Sequence, residues 1–272
     1  MDKLKMKKGL KWGAAVFAVS AAAFIAFSFF ISSKKKACLE GEGPQAIEAC
    51  TFLIEGHTSG YKAECLSRRA YLLAKEGKWD QVVADQNEVV ALKASAQVPP
   101  ALMLSAYESL ADVASRQGDA AGLEKYLELA ARSGSKRPEV YLALSEIYSG
   151  EKKFQEALGL LETAGGLQAE KKHPYYNDLA SAYEGLNDYG KAYDALKTAL
   201  DIPAPRPVLA ATAKHMGFVC YELKRYKDAE IYLGYTLKAG LDCPECALLL
   251  TTIRESLDPT AGPAVRSRRK RR

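Results

Sequence analysis

Six cysteines and three histidines are the side chains here that most readily do chemistry, and one pair has suggestive spacing. Cys243-Pro-Glu-Cys246 opens a predicted helix, where the dipole and free backbone N–H groups favour a thiolate on Cys243. The spacing fits either thiol–disulfide exchange of the C-x-x-C type or a local structural disulfide. No strand–helix–strand pattern surrounds the pair, which weighs against the exchange reading. A zinc site would need a second pair of similar spacing, and Cys220 alone does not supply it. Cys38 and Cys50 are the other candidate disulfide cysteines, placed to tie a linker to the first helix. His57, His173 and His215 are scattered without metal-ligand spacing, and H-E-x-x-H, G-x-S-x-G and G-x-x-x-x-G-K-[ST] are absent. No metal, cofactor or catalytic residue is expected, and the chain reads as a non-enzyme.

The elements that must position these residues begin with a polarised N-terminus. Residues 1–11 form a basic tail, and the run from Trp12 to Ile31 holds no charge. As a helix that run is about 30 Å long, enough to cross a hydrocarbon core. Its length, and the "FFISSKKK" that follows it, favour an uncleaved transmembrane anchor over a signal peptide. Five lysines precede the run and Lys34, Lys35 and Lys36 follow it. That bias predicts a cytoplasmic N-terminus and an exported body, most simply a single-pass bacterial inner-membrane protein facing the periplasm. Residues 32–43 read as a linker.

Dividing the charge shows what the net value of +5 conceals. Residues 1–36 carry eight lysines and one aspartate, and residues 259–272 carry six basic residues and no acid. The body between them is therefore acidic. A nucleic-acid-binding body would carry the opposite sign, so no nucleic-acid partner is expected.

The body repeats itself. Tyr141, Leu144, Tyr148, Ala157, Leu161 and Ala164 have the same spacings as Tyr176, Leu179, Tyr183, Ala192, Leu196 and Ala199. Steps of three and four hold residues on one helical face, and the longer step crosses a turn into a second helix. The frame extends upstream through Tyr107, Leu110, Ala114, Leu123, Leu127 and Ala130. Downstream it continues through Ala213, Met216, Cys220, Ala229, Leu233 and Thr236. A looser first copy holds Arg69 and Gln86 at normally apolar positions. "GPQAIEACTFLI" reads as the second helix of a truncated unit at one end, and "PECALLLTTIRESL" as a closing helix at the other.

This pattern resembles the tetratricopeptide repeat (TPR) family, whose unit is a helix–turn–helix of about 34 residues. The resemblance spans 44–258. It implies an all-α, right-handed helical-hairpin solenoid of about five units with partial capping helices, behind one N-terminal transmembrane helix. It also implies a concave groove lined by first-helix positions. Carried onto this sequence, these are Tyr71 and Lys75; Glu108, Asp112 and Arg116; Glu139 and Glu146; Asn177, Ser181 and Glu184; and Lys214, Phe218 and Tyr221. The set is acidic in the middle with aromatics towards its ends, which suits a protein partner with a basic segment.

The expected function is a non-catalytic interaction scaffold or assembly adaptor tethered to the membrane through 12–31. Two alternatives stand beside it. One is a thiol-redox adaptor using Cys243 and Cys246. The other is a self-assembling envelope component that lays the basic tail 259–272 on acidic neighbours.

Overall fold

The computed structural model describes residues 23–56, 59–92, 98–168 and 171–257. The basic N-terminal stretch, the first half of the apolar run and the tail 259–272 lie outside them. The chain divides into two compact units, 1–134 and 135–272. All regular structure among the described residues is helical.

In the first unit α1 covers 23–40, followed by α2 (Gly43–Glu55) and a short 3-10 turn (Ser59–Tyr61). The hairpins α3 (Lys62–Lys75) with α4 (Trp79–Ala91) and α5 (Pro100–Gln117) with α6 (Ala120–Arg132) complete it. The second unit holds α7 (Pro138–Gly150) with α8 (Phe154–Leu167), and α9 (His173–Gly185) with α10 (Tyr189–Asp201). α11 (Arg206–Glu222) with α12 (Tyr226–Lys238) follows, and α13 (Pro244–Leu257) closes it. Within each unit every helix from α2 onward packs against its chain neighbour, and α1 is joined to α2 through Cys38–Cys50.

The five hairpins share one turn. Gly77, Gly118, Lys152, Asn187 and Lys224 all take positive φ, between 59° and 72°. At each, the next N–H reaches back to close the first helix, as in Lys78 N to Leu73 O (3.0 Å) and Arg225 N to Cys220 O (2.8 Å). This closure by a left-handed residue satisfies carbonyls that the helix end would leave open. Proline stands in the first turn of α5, α7, α9 and α11, where its missing N–H has no helical partner to lose. The α6 and α10 starts are capped by Asp119 and Asp188, which accept from Gly122 N (3.0 Å) and Lys191 N (3.2 Å).

Small residues set how closely the paired helices approach. Ala157, Ala192 and Ala229 are fully buried, as is Ala180 on α9. A β-carbon at Gly217 would lie 2.6 Å from Leu233 Cδ2, so only glycine fits between α11 and α12 there. The core of the last hairpins gathers Leu196, Met216, Val219, Leu233, Leu250 and Ile253.

Two readings change in detail. The stretch 32–43 is helical as far as residue 40, so the apolar run continues into the body without a coil over 32–40. Tyr176, Leu179 and Tyr183 are half-buried, while His173, Tyr175, Ala180 and Ala182 take the deepest places on α9. The deepest arc of α9 is thus turned from the apolar stripe, and tyrosine is suited to the edge because its hydroxyl keeps contact with water.

Candidate functional site

Several of the candidate positions are engaged within the fold. In the first unit Tyr71 lies on α3 with the Arg68 guanidinium 4.9 Å and Lys75 Nζ 4.6 Å from its ring centroid. Both cations also hold the Glu42 carboxylate, Arg68 at 3.0 Å and Lys75 at 2.9 Å, at the break between α1 and α2. Hydrogen bonding to Lys75 and Arg68 lowers the Glu42 pKa. Arg116 of α5 stacks on Trp79, 4.8 Å from the ring. Glu108 and Asp112 share α5, half-buried and exposed respectively.

In the second unit Asn177 belongs to a closed polar ring. Its Nδ2 lies 3.0 Å from His173 Nδ1, and Thr212 Oγ1 lies 3.1 Å from both His173 Nε2 and Asn177 Oδ1. One arrangement satisfies all three: Asn177 donates to Nδ1, Nε2–H donates to Thr212, and the Thr212 hydroxyl donates to Asn177 Oδ1, with Val208 O, also 3.1 Å away, as a second acceptor within its reach. It requires a neutral imidazole, and burial lowers the His173 pKa accordingly. Asn177 thus joins α9 to α11 instead of standing free, and His173, with no metal spacing, is a packing residue.

Glu139 and Glu146 are exposed on α7, and Ser181 is half-buried on α9. Burial, followed by the charge of Glu146, raises Asp178 to about 6. Burial alone raises Glu184 to about 7, and its Oε1 is buried without a hydrogen-bond partner. Among the described residues neither Asp178 nor Glu184 forms an ion pair. Asp178 escaped the sequence reading because its frame position normally faces a neighbour; an acid at such a position was the available signal.

Lys214 pairs with Glu245 of α13 at 2.6 Å. Phe218 and Tyr221 of α11 line a cleft of about 330 Å³ with Leu248, Leu249 and Thr252 of α13, and Glu222 and Glu245 at its edge. Leu248 is 58% exposed. Nothing in the spacing alone revealed Leu248 as part of this wall, since it belongs to the closing helix.

The cysteines form two disulfides, Cys38–Cys50 and Cys243–Cys246. All four are nearly or fully buried, and Cys246 N–H points at Cys243 Sγ, 3.2 Å away. Cys65 and Cys220 are buried thiols whose pKa values burial raises, that of Cys220 to about 11.

No family model matches the chain. A curated relative, the BBSome complex member BBS4 homolog of Drosophila melanogaster, is 35% identical over 106 residues, 38% of this chain. The chain spans 21% of that relative's length. Among solved structures, YrrB, described as a TPR protein with an unusual peptide-binding site, matches with a TM-score of 0.60 at 18% identity, covering 76% of this chain and all of its own. MamA AMB-1 matches with a TM-score of 0.52 at 18% identity, over 69% of this chain and 97% of its own. The described residues therefore have a TPR-like, all-helical fold.

Proposed function

We propose that the chain is a membrane-tethered interaction scaffold whose second unit receives a partner segment carrying basic and apolar side chains. The observation that carries this reading is two carboxylates of α9, Asp178 and Glu184, each half-buried without a cation. A lysine or arginine brought by a partner to either one would pair with it and restore the ionised form. The Phe218–Leu248 cleft of the same unit offers a place for an apolar side chain. Peptide binding by YrrB, a protein of the same fold, is consistent with this reading.

Tethering rests on the uncharged run 12–31, with the N-terminus cytoplasmic and the body exported to the periplasm of a bacterial cell. No helix among the described residues is long and apolar enough to cross a membrane, and 12–22 lie outside them. The disulfides fit an oxidising compartment. Burial of Cys243 and Cys246 leaves little surface for an exchanging thiol, which weighs against the redox alternative.

The test is photocrosslinking of the full-length chain in its native membrane, with the reactive residue at Glu146 or Phe218. Leu196, fully buried, is the control. A discrete adduct at the first two positions, weakened by Asp178→Asn with Glu184→Gln, is expected. Adducts only with a second copy of the chain would favour self-assembly instead.

A further inference from the structure

The N-terminal end of the first unit has an unusual surface. From 23 to 30 every residue of α1 is exposed, with Phe24 at 71%, Phe27 at 61% and Phe29 at 79%. The same helix continues through Lys34–Lys36 and is bonded to α2 through Cys38–Cys50. Phe30 meets Phe52 of α2 edge to face at 5.6 Å. Lys34 Nζ lies 5.9 Å from the Phe30 ring centroid and 5.6 Å from that of Phe52. Lys35 Nζ lies 3.4 Å over the ring of Tyr61. Three elements thus bring aromatic rings up against Lys34 and Lys35, yet Phe30, Phe52 and Tyr61 remain 47%, 39% and 40% exposed.

We propose that Phe30, Phe52 and Tyr61, with Lys34 and Lys35, form a docking surface for anionic phospholipid headgroups that seats the first hairpin on the bilayer. The proposal rests on the reading of 12–31 as a membrane span. Its geometry follows from helix rise. Lys34 to Lys36 stand three to five residues beyond Ile31, about 4.5–7.5 Å along the axis. The headgroup layer on one side of a bilayer is about 5–7 Å deep. The lysines therefore fall at headgroup depth, and the ring contacts bring Phe52 and Tyr61 to the same level. Aromatic rings with lysines are the side chains that partition to this layer. An aqueous setting gives no reason for three open rings at the end of an exposed apolar run. Because α1 is helical to residue 40 and bonded to α2, it holds the first unit at a set height as a post.

The test uses the full chain in phosphatidylcholine–phosphatidylglycerol vesicles with brominated acyl chains, which quench nearby tryptophan. Native Trp12 reports the span in a Trp79→Phe background. Phe52→Trp in a Trp12→Phe, Trp79→Phe background reports the patch, and Tyr61→Trp replaces it if helical circular dichroism is lost. The expected result is quenching at both sites, with loss of quenching at position 52 when Lys34 and Lys35 become Glu. Quenching of Trp12 alone overturns the docking surface and leaves the span standing. Quenching at neither site overturns both. Quenching at position 52 that is indifferent to the lysine changes overturns their role as headgroup ligands.

Discussion

Arg69 grips Asp85 across the first hairpin through two hydrogen bonds, Nε to Oδ2 at 2.9 Å and a terminal nitrogen to Oδ1 at 2.6 Å. Its remaining nitrogen donates to Thr51 of α2 at 2.9 Å, and Asp85 is only 3% exposed. An arginine thus stands where the other repeats place an apolar residue, with its carboxylate supplied by α4. Arg69→Ala leaves that carboxylate buried alone and should destabilise by about 2–4 kcal/mol in urea unfolding. Replacing both residues by leucine should recover most of the loss. If Arg69→Ala falls within experimental error of wild type, the pair contributes nothing to stability.

Glu184 and Asp178 make stability depend on pH in an identifiable direction. Their folded pKa values, about 7 and about 6, lie above those of the unfolded chain, so folding takes up protons between roughly pH 4 and 7. Their contribution therefore improves as pH falls through that window and is worst at pH 8. Glu184→Gln should stabilise the protein at pH 8 by about 1–2 kcal/mol, the shift being discounted for solvent screening. At pH 4 the gain should vanish. A gain of equal size at both pH values would show that proton uptake is not its cause.

His173 acts in the opposite direction. Its folded pKa is lowered, so the neutral ring stabilises the fold above the unfolded value of about 6.5 and that contribution fades as pH falls below it. His173→Gln should be less stable than wild type at pH 8, with the difference narrowing by pH 5. Thr212→Val should lose about 1–3 kcal/mol at pH 8 by leaving buried polar atoms unsatisfied. Thermal unfolding of the three proteins at both pH values checks these expectations.

The shared turn gives a stabilising substitution. Lys224 holds φ 59° where the first two hairpins use glycine. Lys224→Gly should raise stability by about 0.5–1 kcal/mol, because glycine adopts this conformation without a β-carbon clash. An unchanged or lowered melting temperature would mean that Lys224 makes compensating contacts.

Gly217→Ala tests the close approach of α11 and α12. The added methyl meets Leu233, which is fully buried and has little freedom to yield. A loss of about 1–3 kcal/mol is expected, partly relieved by Leu233→Val. Equal melting temperatures for Gly217→Ala and wild type would show that the helices can part there.

The hairpins were legible in the sequence because spacings of three and four survive side-chain substitution, and the apolar positions Leu144, Leu161, Leu196 and Leu233 all lie buried. Arg69 was visible as a departure, but its environment was not, since Asp85 and Thr51 come from other helices. The same limit hid the ring around Asn177, which draws Thr212 from α11, and the cleft wall supplied by Leu248. The lysines at 34–36 looked like a solvated linker. They are helical because lysine is a good helix former and aromatic rings from α2 and the 3-10 turn lie alongside.

An array of near-copies risks pairing each piece with the wrong neighbour as it folds. The His173–Asn177–Thr212 ring answers that risk with chemistry, because only α11 carries the hydroxyl at the height where α9 presents its imidazole and amide. An apolar hairpin stacked in its place would strand those groups in a dry interface, a penalty of about 1–3 kcal/mol for each unmet atom. The ring is a lock that admits one key. It labels the order of otherwise interchangeable parts.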